Sequence, residues 1–224
     1  LVKPLRALVR EADAIRSFDF NYPVARRSPV LEVDQLSVSM ARMKDTLASF
    51  FEITDSLSAE TRFEPLLQRV LFETVKIAQA QAGLIYLRES DGTRLIPQGL
   101  VIDGESQTLQ ALNIRSHEPE SADAPTWLKK LMDEDSVVKT LGFEQAGDLQ
   151  SVLLLMQTPS VHLIGIRLHN QHNETVGALV LLLPDSGAQA DLEKLRPDRI
   201  AFIRAVSGAA AVSIESQRLQ ARQK

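Results

Sequence analysis

The sequence predicts an α+β chain: a helical, parallel coiled-coil segment followed by an antiparallel sheet flanked by helices. Three observations predict it. Val33, Leu36, Met40, Met43, Leu47 and Phe50 recur at steps of 3 and 4, an a/d seam. The second half changes to strand-type runs, AGLIYLR (Ala82–Arg88), SVHLIGIRL (Ser160–Leu168) and VGALVLLL (Val176–Leu183), set apart by turn residues. A long helical stretch from Leu192 then closes the chain.

Composition narrows the classes. The 224 residues carry 25 Lys+Arg, 29 Asp+Glu, 44% hydrophobic residues and no cysteine. These fractions are those of a folded globular protein. Without cysteine there is no disulfide scaffold, thiolate zinc site, iron–sulfur cluster or Cys nucleophile. A formal charge of −4 argues against general nucleic-acid binding, and no nucleic-acid partner is expected. The longest apolar run, Val176–Leu183, is far short of the ~20 residues that span a bilayer. Residues 1–30 hold six basic groups against three acidic ones. A cytoplasmic flank of a membrane helix favours that balance, although on charge alone a solvated helix face produces it about twice as often. Because the chain opens on Leu1, the expectation is a segment of a longer protein, held at the cytoplasmic side of the inner membrane by a preceding apolar span.

The elements follow in order. Pro4 suits a first helical position, and Leu5, Leu8, Ala12 and Ile15 continue at helical steps. A connector from Ser17 to Leu31 leads to the second seam, and Ile53 and Leu57 extend that seam as a stalk whose phase blurs at Thr54. Two such seams bury little alone, so a parallel pair of chains forming four helices is expected. Leu67, Val70, Leu71, Thr74, Ile77 and Ala78 give a helix over about 62–80. Ala82–Arg88 is a buried strand, Ser90-Asp91-Gly92 a hairpin turn, and Leu95–Ile102 its partner, interrupted by Pro97 and Gly99. A short strand near Leu112–Ile114, a helix around Pro125–Met132 and short pieces through Met156 come next. Two strands joined by His169–Thr175 precede the helix from Leu192 to about Arg222. The second strand is apolar on both sides, so both sheet faces must be covered.

Two families are resembled. Segment 1–57 resembles a HAMP signal-relay module on Pro4-Leu5 and on Glu32 followed by Leu36, Met40 and Met43, although Ser17-Phe18-Asp19-Phe20 stands where that family often has Gly-Asp-Leu. Segment 58–222 resembles a GAF domain on the helix into AGLIYLRESDG (Ala82–Gly92) and the hairpin IGIRLHNQHNETVGALVLLL (Ile164–Leu183). The resemblance implies a relay with stalk over 1–57, a sensor domain over 58–191 and a signalling helix over 192–224. It further implies a bacterial membrane-anchored protein, with an HD-GYP phosphodiesterase of cyclic di-GMP as the foremost output. A nucleotide cyclase or histidine kinase output is the alternative, with the sensor acting by ligand occupancy. The implied homodimer uses Leu5, Leu8, Ala12, Ile15, Leu36, Met40, Met43, Leu47, Phe50, Ile203, Ala210 and Ile214.

Signs of catalysis are sparse. There is no phosphate loop, GxGxxG, HExxH or GxSxG, so no catalytic residue and no cofactor is expected. His169-x-x-His172 would need Glu174 to complete a metal site, and a solvated turn suits the pair better. The Cys-based reductase and bilin-attachment chemistries of the resembled family are excluded outright. An unidentified small-molecule ligand remains, with Tyr86, Trp127, Met156, His162 and Arg167 as pocket candidates. Tyr86 and Met156 serve as well as core fillers. Arg167 could hold an anion through its paired N–H groups. Alternation places His162 and Arg167 on opposite sheet faces.

Overall fold

A computed structural model describes residues 9, 10, 12, 31–59, 63–90 and 92–222. The chain divides into two units, Leu1–Asp55 and Ser56–Lys224.

Helix α1 (Leu31–Ala59), most of which belongs to the first unit, is continuous, since no Gly or Pro interrupts its sequence. It runs through Thr54 without a break. Met40, Leu47 and Phe50 are half-buried, whereas Leu36 and Met43 are 49% and 47% exposed. Leu5, Leu8, Ile15 and the connector up to residue 30 lie outside the described residues. Ala12 is helical and exposed.

The second unit is built on a six-stranded antiparallel sheet. Its strands are β1 (Ala82–Arg88), β2 (Leu95–Ile102), β3 (Glu105–Ser106), β4 (Ser136–Gly142), β5 (Ser160–His169) and β6 (Thr175–Pro184), in the order β3-β2-β1-β6-β5-β4. Helices α2 (Phe63–Ala78) and α6 (Pro197–Arg222) pack together and against one face. Gly83 makes room for this layer, because a Cβ there would collide with Val75 of α2 and crowd Leu71. The other face carries Ala82, Leu84, Tyr86, Val161, Leu163, Val180 and Leu182. These pack with Trp127, Leu128 and Leu131 of α3 (Thr126–Glu134) and Val152, Leu153 and Met156 of α4 (Gln150–Met156) in one apolar cluster. Both faces are therefore covered, as the all-apolar β6 requires. β1 and β6 lie so close that a Cβ on Gly177 would land on the Tyr86 carbonyl oxygen.

Several expectations are corrected. Leu112–Ile114 is no strand: Gln110–Leu112 is a 3-10 turn ending on left-handed Asn113 (φ 51°), and the only bridge nearby joins Leu95 to His117. β4 went unforeseen because as an edge strand it buries only Val137 and Leu141. The terminal helix is two helices, α5 (Gln189–Lys194) and α6, because Pro197 lacks an N–H and restricts Arg196. Ile203, Ala210 and Ile214 are 1%, 0% and 0% exposed within the single chain. They sit where α6 meets the sheet and α2, so they are not available to a second copy; Val212 and Leu219 are the outward apolar residues instead.

Candidate functional site

On the α3/α4 face of the sheet, the residues from Gln107 to Ala124 form a largely irregular segment, with Leu109, Leu112 and Ile114 packed on the core. One anchor is main-chain: His117 and Leu95 exchange both N–H···O bonds, at 2.8 and 2.9 Å. The other is a carboxylate. Asp148, in the 3-10 turn Gly147–Leu149 before α4, accepts the Arg115 amide at 3.0 Å and lies 3.1 Å from His117 Nε2, both through Oδ2. Both side chains are largely buried. A charged acceptor with two donors is stronger than a neutral one, so Asp148 pins the segment to the start of α4.

Beneath this pin lies Tyr86 at the middle of β1, 1% exposed, its ring centroid 5.9 Å from that of His117. Its hydroxyl is buried without a hydrogen-bond partner. Burial pushes the phenol well above its ordinary pKa, and the nearby Asp148 charge adds to this. For Asp148 itself burial raises the carboxyl, but the hydrogen bonds from His117 and the Arg115 amide outweigh it, so its pKa falls below the ordinary value.

Two concavities meet here. One, of about 410 Å³, is lined by Arg94, Arg115, His117, Asp123, Trp127 and Asp148 among others. The second is a wider groove of about 1130 Å³ beyond Arg115 and Asp148, with Ile96, Leu109, Leu112, Ile114 and Gln150 on its walls. Arg115, Ser116, Gly147 and Asp148 line both, so the pinned segment forms their common wall. The smaller one falls within the range of small-molecule sites, and it combines an apolar wall with convergent polar groups.

Of the five residues the sequence singles out, Trp127 lines this cavity, and Tyr86 and Met156 lie in the core cluster on the same face. His162 does not join them. It lies between Val161 and Leu163 of the pocket-side core, so its side chain is on the α2/α6 face. Arg167 is committed elsewhere: its Nε donates to Asp135 Oδ1 at 2.7 Å, Nη2 to Asn173 at 3.0 Å and Nη1 to Thr175 at 3.3 Å. That hydrogen bond also lowers the Asp135 carboxyl pKa. Arg167 thus clamps the left-handed corner after α3 to the β5–β6 hairpin and leaves no free fork for an anion. His169, His172 and Glu174 form no metal-type grouping among the described residues.

Sequence reasoning missed His117, Asp148, Arg94 and Arg115. His117 and Asp148 are 31 positions apart in stretches without periodicity. The one local signal was Gly147-Asp148 ahead of an apolar run.

Residues 62–214 match the family model for the GAF domain, about two thirds of the chain. The chain belongs to the GAF domain family. The GAF domain is typical of signalling sensors. The match reaches Ile214, which places most of α6 inside the GAF domain. Solved structures agree in fold. A GAF domain/HD domain protein from Geobacter sulfurreducens aligns at 14% identity over 73% of this chain and 98% of that one, with a TM-score of 0.52. The GAF domain of a phosphoenolpyruvate-protein phosphotransferase from Coxiella burnetii aligns at 12% identity over 79% and 96%, with a TM-score of 0.56. The nlh2 GAF domain of A. aeolicus, solved in an inactive state, aligns at 14% identity over 76% and 96%, with a TM-score of 0.52. At these identities the likeness is one of fold. No curated protein sequence matches the chain.

Proposed function

We propose that the chain is a non-catalytic sensor and relay segment of a bacterial signalling protein, in which the GAF domain senses a small polar molecule. The observation that carries this reading is the Tyr86 hydroxyl. A buried phenol without a partner costs roughly 1–3 kcal/mol, which a ligand group reaching between Tyr86, His117 and Asp148 would recover. Such a ligand would also replace or reinforce the pin at Asp148 and so reset the segment over the core.

The relay half of the reading rests on α1. Leu36 and Met43 leave apolar surface on α1, which a second copy aligned in parallel would cover. The HAMP-like role of residues 1–57, the membrane anchor ahead of them and a cyclic-di-GMP phosphodiesterase behind them belong to this proposal. The Geobacter neighbour, a GAF domain/HD domain protein, carries the pairing of modules it expects. A second reading, transmission by packing alone with no ligand, is favoured by the tight core of Trp127, Leu131, Leu149 and Leu153.

Native mass spectrometry of freshly purified protein decides between them. The sensor reading expects a retained small molecule, lost in Tyr86→Phe and in His117→Gln while the fold persists by circular dichroism. A bare mass in the wild type, with no thermal shift from a metabolite panel, overturns it in favour of packing relay.

A further inference from the structure

On the other face of the sheet, His162, Asp185 and Asp191 come together from β5, the residue following β6, and α5. One ligand-type atom of each lies within 4.8 Å of the other two. His162 Nε2 is 3.3 Å from Asp185 Oδ1. His162 and Asp191 are each only 8% exposed. Neighbours outside the trio bond each of its members. Thr140 Oγ1 lies 3.0 Å from His162 Nδ1. Ser160 Oγ donates to Asp185 Oδ2 at 3.1 Å. The Ser186 amide and hydroxyl donate to Asp191 Oδ2 at 2.9 and 2.6 Å. The Gly187 amide reaches Asp185 Oδ1 at 3.2 Å, and Lys194 Nζ stands 4.0 Å from Asp191 Oδ1, at the limit of an ion pair.

We propose that His162, Asp185 and Asp191 bind a divalent transition-metal cation of the Zn²⁺ type. Each donor is oriented from behind by a hydroxyl or amide, the arrangement by which an outer shell fixes imidazole and carboxylate ligands. A cation about 2.1 Å from each donor needs them about 3–3.5 Å apart, which His162 and Asp185 already satisfy. The third donor has little more than an ångström to close. An imidazole with two carboxylates selects Zn²⁺ over Mg²⁺ and Ca²⁺, which take oxygen ligands. Among the described residues, the two neighbouring carboxylates, one of them buried, have His162 and Lys194 as their counter-charges. In the metal-free chain the ring lies against Asp185 through Nε2. On binding, the neutral ring presents its Nε2 lone pair to the cation and carries its proton on Nδ1, donating to Thr140. A bound cation would fasten the β6–α5 turn to β5, directly ahead of α6.

The test uses the whole chain after chelator treatment. Calorimetric titration with Zn²⁺ is expected to give one ion per chain, with a melting temperature raised by about 5 °C or more at saturation. Mg²⁺ should do neither. Thr140→Val should weaken Zn²⁺ binding 10–100-fold, and Asp191→Asn should abolish it. In the wild type, Zn²⁺ should move the His162 Nε2 resonance, a readout that needs no variant. Absence of stoichiometric binding overturns the proposal. So does binding that survives Asp191→Asn but vanishes in the double variant His169→Gln with His172→Gln. Because the cavity lies on the opposite face, chelation should leave any molecule retained near Tyr86 in place.

Discussion

At the scale of single residues, Asp148 does most to fix the candidate site. Its pKa in the fold lies below the ordinary carboxylate value of about 3.9. The stabilisation is therefore full well above the unfolded value, from about pH 5 upward, and is lost as pH falls through the lowered value. Asp148→Asn should cost about 1–3 kcal/mol at pH 7, and the gap to wild type should narrow as pH falls through the lowered value. Urea unfolding across that range measures it. Asp135 shares the downward shift through Arg167 and remains in the variant, so the acid sensitivity it brings cancels in the comparison. At this scale the sequence was only partly readable. Tyr86 and Trp127 announce themselves as large side chains in apolar runs. His117 and Asp148 become a pair only once a long segment folds back, and no spacing rule reports that.

Among the elements, those set by local pattern were legible. β1 and β2 have the bounds their apolar runs imply, β5 extends past its run by one residue at the hairpin, and β6 extends by one residue at each end. What could not be read depends on partners. β4 buries two residues four positions apart, a spacing that mimics a helix or a loop. The inward face of α6 was mistaken for a surface awaiting another chain, because an apolar stripe looks the same whichever body covers it. That correction is testable. Ala210→Leu should overfill the seam between α6 and the sheet and cost about 1–3 kcal/mol. Val212→Ala on the exposed side should stay within about 0.5 kcal/mol. Chemical denaturation of the two variants separates an inward-facing stripe from an outward one. Arg167 teaches the same lesson, since a strand arginine reads as an anion ligand until its acidic neighbour is known.

For the whole molecule, association rests on the proposal for α1. Leu36→Glu with Met43→Glu should turn a two-chain species into a single-chain one in sedimentation, with sheet content unchanged by circular dichroism. A wild type that sediments as one chain at micromolar concentration would count against pairing. The family itself was readable from two strand-rich stretches, because turn residues and doubly buried strands are demanding local signatures. The seating of Gly177 under the Tyr86 carbonyl has a mechanical corollary. With no clearance there for even a methyl group, glycine at 177 is what lets the two central strands sit at hydrogen-bonding distance, and any side chain in its place would prise β6 from β1.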